Sequence, residues 1–322
     1  MCRWWYGCQW PIRKIPKLKT ITEFKIIEKY LSNIGASFNK KNKILKGVGD
    51  DAAVISLSDN LIVSTDTSVE GVHFPSGVKP EYAAYRACAT ALSDLAAMGS
   101  HPLAFQLSLS TKESSPKFFS SFKKGLQDFS NDYKIGLTGG DLVKGQYQIS
   151  VTVFGKEVSK ILLRNNSKVG DLVCLSGQLG NGLLGMQNFK KCNRKNKISS
   201  AYLKPKALID YGKIIAGFAS SAIDISDGFL QDLGHLSRAS NVGFKLSSNL
   251  IPHNSNLSLN QCLNCGDHYQ LIFTVPKKHM GPFIKKMRGK KLAIYQIGNS
   301  IKGKNILLDG KIASLNKGYK HF

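Results

Sequence analysis

Apolar residues recur at helical or strand spacing along most of the chain, and their rhythm divides it into elements. Ile21, Phe24, Ile27, Leu31 and Ile34 share one helical face, which Thr20 or Thr22 can cap and Gly35 ends. Two short apolar runs, 52–57 and 61–64, flank Ser58, Asp59 and Asn60 and predict a hairpin. An Ala-rich helix is expected over 81–98 with Gly99 beyond its end, followed by an alternating strand over 104–110. Ser115-Pro116 opens a helix to about Tyr133, with proline in its first turn.

Further strands are predicted at 135–137, 149–154 and 172–175, then helices at 182–189 and 205–219 and a helix start at Asp227. Strands near Phe244 and over 271–275, a helix over 281–287, and strands near Leu292 and Asn305 finish the chain. Helices and strands alternate irregularly, which predicts α/β and α+β units with mixed sheets and excludes a doubly wound parallel sheet.

At 322 residues the chain exceeds what one ordinary core serves, so two domains are expected, divided as 20–157 and 158–322. Residues 1–19, with three Trp and two Pro, match nothing that follows and are read as an unstructured extension. The longest apolar stretch, 214–225, is interrupted by Gly217, Ser220, Ser221 and Asp224, so no membrane partner is expected. The first residues lack the continuous apolar run of a signal peptide, and a cytoplasmic location is expected.

Charge complicates this picture. Forty-five basic residues against 21 acidic ones give +24, which ordinarily suggests a polyanion partner. The excess is concentrated after residue 155, where 26 basic residues face 8 acidic ones. Those cations lie among Asn, Ser and Gly or at helical spacing, without interleaved aromatics, and are read as solvated faces with no nucleic-acid partner. The seven cysteines are scattered, and only Cys262 and Cys265 form a CxxC. With no second pair at zinc-ribbon spacing, reduced thiols are expected.

The scarce acids are more informative. Fifteen of the 21 are Asp, many in small-residue segments: Gly49-Asp50-Asp51-Ala52, Ser64-Thr65-Asp66-Thr67, Ser93-Asp94, Gly139-Gly140-Asp141 and Asp224-Ile225-Ser226-Asp227-Gly228. Taken singly, each is a turn or cap aspartate. Taken together, they point to a hard divalent cation, because Mg²⁺ wants short, rigidly held carboxylates with waters and substrate phosphates completing its shell. Asp94 stands out within an apolar helical stretch, where an unpartnered carboxylate is costly. The chain has no GxxxxGK[ST], no HExxH and no GxSxG, which removes P-loop, zincin and serine-hydrolase chemistry.

At these segments the chain resembles the thiamine-monophosphate kinases, of the superfamily that includes aminoimidazole-ribonucleotide synthetase and selenophosphate synthetase. The resemblance lies in GVGDDAAV (47–54), STDTSVEGVHF (64–74), ALSDLAAMG (91–99), GGD (139–141), IDISDGFLQDLGHL (223–236) and the tail KGYKHF (317–322). It implies a two-domain aminoimidazole-ribonucleotide-synthetase-like fold, with an N-terminal mixed sheet and helices pairing across a homodimer and a C-terminal α+β domain. It also implies transfer of the γ-phosphoryl group of ATP to thiamine phosphate. Carried over residue by residue, Asp51, Ser64, Thr65, Asp66, Asp94, Asp141, Asp224 and Asp227 are the expected magnesium residues. Asp66, Asp94, Asp141 and Asp227 are the expected catalytic aspartates. Gly140, Asp141, Arg164 and Ser226 are expected at ATP, and His73, Asp267 and Tyr319 at thiamine phosphate. The segment Cys265-Gly266-Asp267-His268-Tyr269-Gln270-Leu271 departs from the family's GGEDYEL, with Asp267 one methylene shorter than the Glu usual there.

Overall fold

The structure is a computed structural model that describes residues 22–48, 52–189, 197–315 and 318–319. The expected extension 1–19 and Asp51 lie outside the described residues.

The chain enters through α1 (Glu23–Ile26), which loosens into a π-turn at Ile27–Leu31 and buries Tyr30 and Leu31. Strand β1 (Ile44–Lys46) pairs antiparallel with β2 (Val54–Ile55). Then follow β3 (Leu61–Val69), α2 (Pro80–Ala97), β4 (His101–Ser110), α3 (Pro116–Tyr133), β5 (Gly136–Val143) and β6 (Gln148–Lys156). Four of these strands form a mixed sheet in the order β3-β6-β4-β5, parallel only between β4 and β5.

The second half runs β7 (Leu172–Leu175), α4 (Asn181–Gln187), α5 (Lys197–Leu203), α6 (Ile209–Ile215), β8 (Ser221–Asp224), α7 (Phe229–Ser240) and β9 (Gly243–Leu246). It closes with α8 (Leu259–Asn264), β10 (Leu271–Val275), α9 (Lys277–Gly289), β11 (Tyr295–Ile301), β12 (Ile306–Leu308) and β13 (Lys311–Ile312). Its seven strands are ordered β13-β12-β9-β11-β7-β10-β8, and every pair but β9–β12 is antiparallel.

The two sheets meet around α2. Fourteen of its residues are buried, and their small side chains let neighbours approach from every side. The four-stranded sheet and α3 cover one flank; α5, α6 and β8 cover others. At the α2–α6 crossing a Cβ on Gly212 would sit 2.0 Å from the Ala96 carbonyl oxygen, so only glycine fits. One hydrophobic core therefore runs from Phe105 and Leu107 through Ala91 and Leu92 to Phe273 and Phe283. A second core lies on the other face of the larger sheet, where Ile223, Ile272 and Phe244 pack on Phe229 and Leu233 of α7. Strand β10 is buried at every position because each of its faces meets one core.

The predicted 52–57/61–64 hairpin does not form. Strand β2 turns back to β1, while β3 pairs with β6 through nine residues, and Ser58-Asp59-Asn60 merely link the two sheets. β3 wins the longer ladder because its polar run 64–68 continues the strand. Likewise the strand expected at 135–137 extends through Gly139, Gly140 and Asp141 to Val143. Leu292 belongs to the turn that ends α9, and the strand there begins at Tyr295. The helix expected over 205–219 shrinks to α6, and the one expected at Asp227 starts two residues later, leaving Asp227 in the preceding loop.

Candidate functional site

On α2 a stripe of polar residues, Arg86, Thr90 and Asp94, recurs every fourth position and so projects from one side of the helix. All three line a cleft of about 890 Å³. Opposite them stands β3, where alternation turns Asp66 to the same side as its buried cross-strand partner Val151. The end of β8 adds Asp224, the loop after it adds Ser226 and Asp227, and the 265–269 loop adds Asp267. His73 and Tyr319 close the cleft, their ring centres 6.4 Å apart.

The carboxylates feel one another. Burial, then the charges of Asp94 and Asp227, push the Asp66 carboxyl up to about 6. Burial likewise raises Asp94, against the pull of a Ser64 hydroxyl hydrogen bond and of Arg164. Asp224, with 5% exposure, is raised by burial and by Asp94. Three acids, on β3, α2 and β8, therefore face one cavity in a state that desolvation disfavours, and like-charge repulsion adds to it at Asp66 and Asp224. Their side chains ring the cavity without meeting: among the described residues, no three His, Cys, Asp or Glu groups converge as a metal-binding cluster.

The 226–228 loop is held from behind. Asp232, in the first turn of α7, accepts the backbone N–H groups of Ser226, Asp227 and Gly228 on its Oδ2 at 3.1, 3.1 and 3.2 Å. Burial is the main reason its own carboxyl rises to about 7. Gly228 adopts φ 146°, a conformation closed to other residues without strain. Two backbone bonds then dock neighbouring segments on the loop: the Asp267 N–H to the Ser226 carbonyl and the Tyr319 N–H to the Asp227 carbonyl, at 2.9 and 3.0 Å. Segments far apart in sequence thus converge on one turn.

The unusual 265–271 segment separates by face. Cys265, Gly266, Asp267 and Tyr269 line the cleft. His268 points inward, with Nδ1 accepting from the Gly180 N–H at 3.0 Å and Nε2 bonded to the Cys262 carbonyl at 2.9 Å. Burial drops its pKa to about 4, so it is a neutral structural tie. Gln270 accepts from the Ser176 hydroxyl at 2.8 Å. The two positions that lack the family's acids are thus turned away from the cleft. Cys262 and Cys265 are free thiols.

The other sequence-predicted residues stand apart. Ser64 and Arg164 line a cavity of about 480 Å³ that shares Asp94 with the main cleft. Thr65 faces the outer side of the sheet, where its hydroxyl bonds Thr152 at 2.8 Å. Gly140 and Asp141 line a depression of about 610 Å³ with Ile27 and Leu31. Asp141 lies on the outer row Asp141–Ser108–Ser150–Thr67, across the sheet from the Asp66 face. The sequence reading missed Arg86, Tyr202, Tyr269 and Asp232. The signal for Arg86 was the one that marked Asp94, a charge inside an Ala-rich helix.

Residues 49–156 match the family model of the AIR synthase related protein N-terminal domain, and residues 168–310 match that of its C-terminal domain. A thiamine-monophosphate kinase of Buchnera aphidicola subsp. Schizaphis graminum is 38% identical over 325 residues, 93% of this chain and 98% of that protein. The crystal structure of thiamine-monophosphate kinase from Stenotrophomonas maltophilia K279a aligns with TM-score 0.81 and 30% identity, covering 91% of this chain and 98% of that one. AaThiL complexed with AMPPCP and TMP aligns with TM-score 0.74 and 30% identity, covering 93% and 97% respectively. Fold and sequence agree, and the chain belongs to the thiamine-monophosphate kinase family of AIR synthase related proteins.

Proposed function

We propose that the cleft transfers the γ-phosphoryl group of ATP to thiamine phosphate, giving thiamine diphosphate and ADP by direct in-line attack. The observation that carries this reading is the set of four aspartates, Asp66, Asp94, Asp224 and Asp227, that face one aromatic-walled cavity, with the first three raised by burial. Relatives named for this kinase activity, and AaThiL solved with AMPPCP and TMP, support it.

The donor set suits Mg²⁺. Short carboxylates that surround a space leave coordination positions for water and phosphate oxygens, and a cation there would offset the burial and the like charges that raise Asp66. Asp66, Asp94, Asp224 and Asp227 would hold it, with Ser64 and the backbone at Thr65 beside them. When bound, it neutralises the phosphates and helps align them. The acceptor phosphate has a second pKa of about 6 and is largely dianionic at neutral pH, so the attack needs no general base. His73, Asp267 and Tyr319 take the thiamine moiety, Ser226 and Arg164 contact ATP, and Asp232 keeps Ser226 and Asp227 in register.

Asp141 and Gly140 require a second copy of the chain. Asp66 and Asp141 lie on opposite edge strands of a four-stranded sheet, three spacings or about 14 Å apart, and on opposite faces. One cation cannot bridge them within a protomer. A homodimer packed through the outer sheet face, where Leu61, Val63 and Val143 are each close to half exposed, would bring Asp141 of one chain towards the nucleotide of the other. The expected domain division falls between the end of β6 at Lys156 and the start of β7 at Leu172, which supports placing it there. Among the described residues, no helix is long and apolar enough to cross a membrane. A cytoplasmic enzyme with neither membrane nor nucleic acid as partner fits this reading.

The direct test is to incubate the purified chain with ATP, magnesium chloride and thiamine phosphate and separate the products. Equimolar ADP and thiamine diphosphate are expected; folded protein that forms neither refutes the assignment.

A further inference from the structure

Arg86 is a cation buried in a cleft of acids. It is 3% exposed, yet it stands in the same helical stripe as Asp94 and lines the cavity. Its guanidinium lies 4.1 Å from the centre of the Tyr202 ring and 5.8 Å from that of Tyr269. Nη1 donates to the Tyr202 carbonyl at 2.9 Å, and Nη2 donates to Asp267 Oδ1. Burial works against its charge, and Asp267 chiefly offsets that cost, leaving its pKa above the ordinary value.

Asp267 is held in an unusual way. Its backbone takes φ +62°, in the left-handed region, and Tyr269 two residues on takes +49°. The Tyr269 hydroxyl donates to the same Oδ1 at 3.0 Å. Two donors therefore converge on one carboxylate oxygen, and Oδ2 has no partner among the described residues. Asp267 also lines the cleft, with 27% of its side chain exposed. A tie serving stability alone would be expected to use both oxygens, since an ion pair this buried gains little over apolar packing unless its remaining lone pairs are satisfied.

We propose that Arg86 is a positioning residue for acceptor recognition: by fixing Oδ1 of Asp267 it keeps Oδ2 available to a cationic ring or amino group of the acceptor. The inference rests on the kinase reading, because thiamine phosphate offers both groups. Arg86 acts through Asp267 and sets affinity for the acceptor rather than the rate of phosphoryl transfer. Lysine replaces the guanidinium poorly, because it supplies charge without the planar fork or the stacking on Tyr202.

The test is a double-mutant cycle in the kinase assay with calorimetric binding of thiamine phosphate alongside. Arg86→Met should raise the KM for thiamine phosphate about tenfold or more, leave the KM for ATP within about twofold, and change kcat less than KM. Arg86→Lys should recover part of the loss. In an Asp267→Ala background, Arg86→Met should add less than about twofold, because the oxygen it positions is gone. An unchanged acceptor KM in Arg86→Met, a loss confined to kcat, or full additivity with Asp267→Ala each overturns the inference. Should Arg86→Met fail to fold, Arg86→Lys carries the same test with an expected rise of about threefold. Active wild type with unaffected Arg86 variants refutes this inference alone; wild type that neither binds nor phosphorylates thiamine phosphate refutes the kinase reading as well.

Discussion

The cleft and the surface around α9 carry opposite charge in opposite surroundings. From His268 to Leu308 the chain has no acidic residue but nine Lys and Arg. On α9, Lys277, Lys278, Lys285, Lys286 and Arg288 are exposed, and only Phe283 and Met287 are buried. These cations keep their water, so their mutual repulsion is weak and screened within about 10 Å at ordinary salt. The aspartates of the cleft are few, but Asp66, Asp94 and Asp224 have lost water there and are raised by it. Net charge counts the first group; chemistry follows the second.

The sharpest way to break that contrast is to neutralise one acid of the cleft. Asp66→Asn should lower kcat by at least about a thousandfold, the scale on which aligned charge stabilises a phosphoryl-transfer transition state, while the thermal midpoint does not fall. Activity near that of wild type would remove Asp66 from the chemistry. A smaller loss is expected one step behind the cleft. Asp232→Ala strands three backbone N–H groups of the 226–228 loop, and kcat/KM should fall about ten- to a hundredfold with a lower thermal midpoint. Asp232→Asn, which keeps an acceptor oxygen, should be milder, and equal losses in the two variants would contradict the positioning role.

The third test reads the cost of burying Asp66 beside other acids. The native Asp66 carboxyl sits near 6 against 3.8 in the unfolded chain, so between those values the native state holds the extra proton and stability falls as pH rises. Without divalent cations, Asp66→Asn should be more stable than wild type at pH 7.5, by up to about 3 kcal/mol. That margin should shrink as pH drops from 6 towards 4. A margin independent of pH, measured by denaturant titration, would mean that Asp66 is not strained. The smallest effect belongs to the basic surface: replacing Lys277, Lys278, Lys285 and Lys286 with Gln should change kcat/KM by less than about twofold and stability by about 0.5 kcal/mol at most. A large loss of activity there would reverse the comparison.

Much of the architecture was visible in the order of residues. The Ser115 cap and Pro116 opened α3 where expected, and β4, β6, β7 and β10 appeared where the apolar runs lay. These signals are local, set by spacing and by side-chain hydrogen bonds to the nearest turn. Pairing was less legible. Strand β3 continues through Ser64, Thr65, Asp66, Thr67 and Ser68, a run with no apolar residue, because β6 lies more than 80 positions away and supplies its ladder. Asp66, placed in a turn by sequence, therefore stands mid-strand.

At the site, alternation and helical spacing explain why Asp66 and Asp94 face each other once β3 and α2 are packed, but neither rule reveals the packing. Arg86 drew no attention in the sequence because its partner, Asp267, lies 181 residues on. Asp232 was hidden for a different reason: a carboxylate in a helix's first turn is common, and only the fold shows it capping the loop that bears Asp227. The distance between Asp141 and Asp66 is likewise a matter of strand order alone.

The most direct measurement is anomalous scattering from crystals of the protein soaked with Mn²⁺, a non-hydrolysable ATP analogue and thiamine phosphate. The account predicts metal peaks against Asp66, Asp94, Asp224 and Asp227, bridging to nucleotide phosphates, with the thiamine moiety beside Asp267 and Tyr319. Nucleotide bound in a cleft without metal, or metal peaks only at surface acids such as Asp59 and Asp309, would contradict it.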